Sequence, residues 1–221
     1  GTDRPPLLIR VWLSQGNVLF ALGRVEEGRS LWNAALAEAD RAGEAELTAA
    51  CRIYLARGDL LLAEGAGIPE QVIATVTEAM ARLTADKLHR ALALTVIGLA
   101  EKELRHWTEA EKALKAALDI HEKERYLELA AYDWYLIASV FSVSGQYDPA
   151  LEALSRALAL DRRAENSYGL GMDWLALGDV SLKAGRSDGA AAAYRRSAEI
   201  FRAVGLEKEA AEAGRRAAAL P

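Results

Sequence analysis

Large apolar residues and very small ones recur along this chain in two interleaved columns. The first column is Gly16, Gly58, Gly98, Ala138 and Gly178, spaced by 42, 40, 40 and 40 residues. The second is Ala35, Ala79, Ala117, Ala157 and Ser197, offset from the first by 19, 21, 19, 19 and 19. Four residues before the first column stand Trp12, Tyr54, Leu94, Trp134 and Trp174. Three before the second stand Trp32, Val76, Leu114, Leu154 and Tyr194. Offsets of three, four and seven place these residues on one helical face, so each unit reads as two amphipathic helices. Spacing and breakers predict helices over 7–22, 26–42, 45–64, 70–83, 86–104, 108–123, 126–144, 148–163, 168–184, 188–204 and 206–219.

Turns fall at Gly23-Arg24, Gly65-Ala66-Gly67, Arg105-His106, Gly145-Gln146 and Gly185-Arg186. Glycine there suits the left-handed residue that closes a helix. Thr108, Asp148, Ser187 and Asp188 follow the turns and are expected to cap the next helix. The second unit carries a two-residue insertion, assigned to the segment Glu64–Pro69.

Composition supports an all-helical chain. Of 221 residues, 45 are alanine, against 25 of Val, Ile and Thr together. Alanine is the strongest helix former, whereas β-branched residues favour strands. A hydrophobic share of 52% is enough for one or two cores and too much for a disordered chain. A net charge of −5 argues against general nucleic-acid binding, which needs a basic field. No run is long and apolar enough to span a bilayer. The start Gly1-Thr2-Asp3-Arg4-Pro5-Pro6 lacks a secretory pattern and reads as a cut end. The expected location is therefore cytoplasmic, with a trimmed periplasmic chain left open.

These columns resemble the tetratricopeptide repeat (TPR): a large aromatic, a small residue four later, a turn glycine, an aromatic, then a small–aromatic–small run on the second helix. Trp12/Gly16/Gly23/Gly28/Trp32/Ala35 and Trp134/Ala138/Gly145/Tyr147/Ala150/Leu154/Ala157 carry the likeness most fully. The resemblance covers residues 9–204. The 40-residue period departs from the family's usual 34, and its unit-ending proline is missing. This longer spacing is similar to that of signalling scaffolds and of the sensor regions of MalT-like transcription activators. The resemblance implies an all-α, right-handed α-solenoid forming a single domain over 1–221. Five helix-turn-helix repeats are expected at about 7–42, 45–83, 86–123, 126–163 and 168–204, with a capping helix at 206–219.

The sequence points away from catalysis. No phosphate loop, nucleophile elbow or zinc-protease helix is present. No cofactor and no metal are expected. One cysteine, Cys51, excludes an internal disulfide and any cysteine-based cluster. His89, His106 and His121 read as solvent or helix-end residues. Four of the five tryptophans sit in repeat columns and Trp107 fills the aromatic position just after its turn, so core packing explains them better than ligand stacking.

The resemblance places a binding groove on the first helix of each unit. That assigns Arg10, Leu13, Asn17, Arg52, Leu55 and Asp59 in the first two units, and Leu92, Thr95 and Leu99 in the third. In the last two it assigns Tyr132, Tyr135, Ser139, Met172, Leu175 and Asp179. Capture of a chaperone's C-terminal carboxylate is rejected, because Leu13, Ala56, Leu92 and Val96 stand where basic or amide residues are needed. The expected partner is a protein or peptide, with the chain acting as a non-catalytic scaffold in a larger regulatory or signalling protein. A small-molecule effector, as in MalT-like regulators, is the alternative. A self-assembling array is the third reading, with Ala210, Ala211, Ala217, Ala218 and Leu220 packing on another copy.

Overall fold

The computed structural model describes residues 4–62 and 67–220. Among these there are eleven α-helices and no strand. They are α1 (Arg4–Ala21), α2 (Val25–Ala42), α3 (Ala45–Leu62), α4 (Ile68–Met80), α5 (Lys87–Glu103), α6 (Trp107–Lys123), α7 (Leu127–Val143), α8 (Tyr147–Arg163), α9 (Ser167–Lys183), α10 (Ser187–Ala203) and α11 (Glu207–Ala218). All eleven predicted helices are present. The first starts three residues early, because Pro5 and Pro6 fit the first turn of a helix, where no amide donor is needed. The fourth runs to Met80 rather than residue 83. The predicted turn residues 65 and 66 lie outside the described residues.

The predicted caps differ. Asp148, Ser187 and Asp188 lie inside α8 and α10, and Thr108 lies inside α6. The cap places belong to Gln146 and Arg186, neither of which makes a side-chain cap bond. A left-handed residue ends the preceding helix at Gly145 and at Gly185, and a single residue separates it from the next helix. Side-chain caps occur instead at Asp86, which accepts from the His89 amide at 3.0 Å, and at Asn166, which accepts from the Gly169 amide at 3.1 Å. Arg105, Arg125 and Glu165 adopt positive φ at equivalent turns without being glycine.

The chain divides into two compact units, 1–113 and 114–221. In the first, α1, α2 and α3 share a core of Ile9, Leu13, Trp32, Ala35, Ala39, Leu47 and Cys51. A second core joins α3, α4 and α5 through Ile53, Ala56, Val72, Val76, Leu83, Ala93 and Val96. In the second unit α7 packs on α8, α9 on α8 and α10, and α10 on α11.

The small columns work by close approach. A Cβ added at Gly16 would sit 2.5 Å from the Trp32 indole nitrogen, and one at Gly178 would collide with the Tyr194 ring. Ser197, in the second column, donates its hydroxyl to the Gly171 carbonyl at 2.7 Å. Gly178→Ala is therefore expected to cost about 1–3 kcal/mol by overpacking, although alanine is the better helix former. Gly214, inside α11, has open space where its Cβ would go. Gly214→Ala is expected to gain about 0.8 kcal/mol. Urea denaturation of the two variants should show shifts of opposite sign.

One register is corrected. Gly58 does not hold the place of Gly16. Its Cβ position faces Trp32 and Phe20 of the preceding hairpin. Ala56, buried with Val72 and Val76 of α4, takes that place instead. The column is then Gly16, Ala56, Gly98, Ala138 and Gly178, with spacings of 40, 42, 40 and 40. The step from Ala56 to Ala79 becomes 23 rather than 19, and that from Ala79 to Gly98 becomes 19 rather than 21. So four residues are gained before α4 and two are lost after it. Arg52 now stands in the column of Trp12 and Trp134, and a cleft of about 440 Å³ opens beside it between α3 and α4.

Candidate binding face

Two residues of register turn a helix by about 200°, and this decides where the expected groove residues point. The counterparts of Arg10, Leu13 and Asn17 on α3 are Ala50, Ile53 and Arg57. Arg57 donates to the Asn17 amide oxygen at 3.1 Å, which joins the two positions directly. Arg52, Leu55 and Asp59 therefore do not continue the α1 groove residues. Asp59 accepts from Arg29 of α2 at 2.7 Å, and Arg52 lies 3.9 Å from Glu78 of α4. Leu55 packs against the α1–α3 core.

Three other expected groove residues are buried rather than exposed. Leu13 is packed in the core, Leu99 is buried, and Thr95 donates its hydroxyl to the Ala91 carbonyl. Arg10 is exposed, and Asn17 and Leu92 are half-buried.

The first helices of the second unit present a different surface. Tyr132 and Tyr135 of α7 stack with ring centroids 6.2 Å apart and planes 11° apart. Tyr132 is 43% exposed. Tyr135 is half-buried, and burial pushes its hydroxyl above the usual phenol range, aided by Tyr132. On α9, Tyr168 is 55% exposed, and Met172 and Leu175 are half-buried. Tyr168 was absent from the sequence-based set, although it lies one turn before Met172 in the same row. Ser139, Ser142, Asp179 and Lys183 line a pocket of about 140 Å³ next to Tyr135.

The two charged residues of this pocket are matched within the protein. Asp179 accepts from the Tyr194 hydroxyl at 2.7 Å and from Arg216 of α11 at 2.8 and 3.0 Å. Lys183 donates to the Ser142 hydroxyl at 3.2 Å. The exposed side chains of this face include Tyr132 and Tyr168, a residue type that interfaces favour.

Beneath the surface runs a second pattern. One place at the end of each second helix, or just past it at Leu83, corresponds to one place on the following first helix. In the first unit these pairs are apolar: Ala39 with Cys51, and Leu83 with Ala93. In the second unit they are His121 with Asp133, then Asp161 with Asp173, all buried. The His121 ring nitrogen Nδ1 lies 2.6 Å from Asp133. Asp173 is hydrogen-bonded to Asp161, and its Oδ2 is buried without a partner. Burial, then the neighbouring Asp161, pushes the Asp173 carboxyl up to about 8. Asp161 is raised as well, chiefly by burial, while Asn166 donates to it at 2.9 Å. The following step returns to apolar residues, Phe201 and Ala213.

The remaining candidates are structural. Of the histidines, only His106 is exposed, beside Glu101 at 2.8 Å. His89 and His121 are helix-end residues but buried, each paired with an aspartate at 2.6 Å. Trp32 is fully buried, and the Arg156 guanidinium covers Trp134 at 4.8 Å. Burial pushes the Cys51 thiol up to about 12, so it carries almost no thiolate at neutral pH. Among the described residues no group of side chains is arranged to hold a metal ion, and no helix is long and apolar enough to cross a membrane.

No protein-family model matches the sequence, and no curated protein matches it. Solved structures do. Aspartyl phosphate phosphatase F from Bacillus subtilis superposes with a TM-score of 0.74 at 12% identity, over 96% of this chain and 55% of that one. A Rap protein complexed with competence and sporulation factor gives 0.66 at 18% identity, over 96% of this chain and 62% of that one. A thermophilic TPR protein in Thermus thermophilus gives 0.62 at 23% identity, over 93% and 98%. The chain thus spans little more than half the length of the phosphatase it matches.

Proposed function

We propose that this chain, which has the all-α helical-repeat solenoid fold of TPR proteins, is a non-catalytic module that docks a partner protein segment on the first helices of its second unit. The observation that carries this reading is the aromatic surface of Tyr132, Tyr135, Tyr168 and Met172. Two of its tyrosines, Tyr132 and Tyr168, are exposed on α7 and α9. Tyrosine and methionine are favoured at interfaces, and a preformed surface keeps the ordering cost of binding low. Because Asp179 and Lys183 are already bonded within the protein, the partner is a peptide or helix that presents apolar and aromatic side chains. The likeness to a Rap protein complexed with competence and sporulation factor supports a partner-binding role. The phosphatase activity in the name of the first neighbour is not part of this reading.

Peptides selected from a random display library on the immobilised protein provide the test. Tyr132→Ala should weaken their binding tenfold or more, as expected of a hot-spot aromatic. The exposed position of Tyr132 means that the melting temperature should hardly move. Equal affinities for the wild type and Tyr132→Ala would exclude this face.

A small-molecule-sensing role, as in a MalT-like regulator, is the second reading, and the α3–α4 cleft of about 440 Å³ is what favours it. The pocket beside Tyr135, at about 140 Å³, is smaller than the ~300–1,000 Å³ typical of ligand sites.

A further inference from the structure

The second hairpin carries charge where the others carry packing. Four residues before the corrected small column stand Trp12, Arg52, Leu94, Trp134 and Trp174. All but Arg52 are apolar and half-buried. One residue before the second small column stand Ala34, Glu78, Ala116, Arg156 and Arg196. In the fourth hairpin these two places touch, with the Arg156 guanidinium over the Trp134 ring. In the second hairpin they hold Arg52 and Glu78, 3.9 Å apart, with side chains 46 and 70% exposed. That separation is beyond hydrogen-bond range, so Glu78 does not engage the guanidinium fork.

The same hairpin is open. α4 packs less extensively on α3 than α2 does on α1 or α8 on α7. The cleft of about 440 Å³ between them falls within the ~300–1,000 Å³ typical of ligand sites. Its lining runs along α3 from Arg52 to Asp59, a rise of about 10 Å, and back along α4 from Ile68 to Glu78. Arg52 and Glu78 thus stand at one end, and Leu55, Ala56 and Val72 line the cleft beyond them. The carboxylate at the other end, Asp59, is already held by Arg29 at 2.7 Å. A second cleft, of about 290 Å³, is lined by the same Arg52 and Glu78 and adds Arg82. It also adds Asp40, which accepts from the Thr48 hydroxyl at 2.9 Å.

We infer that the α3–α4 cleft binds a small carboxylate with an apolar body, the carboxylate on the Arg52 guanidinium and the body along Leu55, Ala56 and Val72. This rests on the small-molecule reading above and names its ligand class. The planar fork of an arginine matches a carboxylate through two parallel hydrogen bonds, which Glu78 does not make at 3.9 Å. Glu78 is the weak internal competitor that the ligand displaces. A cationic ligand is repelled by Arg52 and finds Asp59 already bonded. A neutral ligand leaves the guanidinium unused.

Three probes with one chain and different head groups provide the test: octanoate, octanol and octylamine. Each is titrated to millimolar concentration while backbone amide resonances are recorded. Octanoate should shift α3 and α4 resonances around Arg52, Leu55 and Val72 saturably, and the other two should bind tenfold or more weakly. Arg52→Gln should weaken octanoate tenfold or more and leave octanol unchanged. Glu78→Gln should tighten octanoate severalfold, because the competitor is gone. Both residues are exposed, so thermal melts of the variants should match the wild type. Octanoate binding that is equal in Arg52→Gln and wild type, or octanol binding as tightly as octanoate, overturns the carboxylate assignment while the cleft remains a small-molecule site. If none of the three probes shifts α3 or α4, the small-molecule reading of the cleft falls with it.

Discussion

Asp173→Asn is expected to raise the unfolding free energy at pH 8 by several kcal/mol and to leave it nearly unchanged at pH 4. The cause is the buried Asp161–Asp173 pair, in which the Asp173 carboxyl is pushed up to about 8. An unfolded aspartate ionises near pH ~3.9. Between these values the folded state holds a proton that the unfolded state has released. Stability therefore falls as pH rises, by about 1.4 kcal/mol per unit for one proton, across the window from about 4 to about 8. This is the reverse of a salt-bridged carboxylate, which loses stability as pH falls. The Asn amide would donate to Asp161 as the protonated carboxyl does, and it has no charge to lose. Urea titrations of both proteins from pH 4 to 9 give the difference directly. Parallel curves for wild type and variant would show that Asp173 is ionised in the folded protein.

His121→Ala should be the most destabilising single change at the equivalent place one step earlier. It leaves the Asp133 carboxylate, fully buried, without the imidazole 2.6 Å away. Breaking a buried pair by removing one partner costs about 3–5 kcal/mol. Replacing both members avoids that penalty. Two steps later the same two places hold Phe201 and Ala213, buried and apolar. The double variant His121→Phe/Asp133→Ala copies this pair and should recover most of the lost stability. A denaturant midpoint for the double variant as low as that for His121→Ala would show that the two residues do not act as a pair.

The helices and their pairing were legible in the sequence because small residues leave a periodic mark. Gly16 and Gly178 are glycines for a reason that spacing alone reveals: an aromatic ring occupies the volume of the missing side chain. The same mark misled at Gly58, which is also small and also packed, but against the other neighbour. Alanine at position 56 was the better match in spacing, at 40 residues from Gly16. The connection before α4 hid this, because its four extra residues are partly offset by the two lost after α4. From that slip follow the misplaced Arg52, Leu55 and Asp59. Between α7 and α9 the 40-residue register is unbroken, so Tyr132 and Tyr135 stand in the same rows as Met172 and Leu175. The carboxylates at 133, 161 and 173 were not recognised as buried. Charged residues in a helical chain ordinarily lie in solvent, and only the three-dimensional pairing across two helices shows that these do not.

Backbone amide resonances mapped during titration with a library-selected peptide test the binding account most directly. The account predicts shifts concentrated on α7 and α9, around Tyr132, Tyr135, Tyr168 and Met172. Shifts confined to the second helices α8 and α10, with α7 and α9 unchanged, would contradict it.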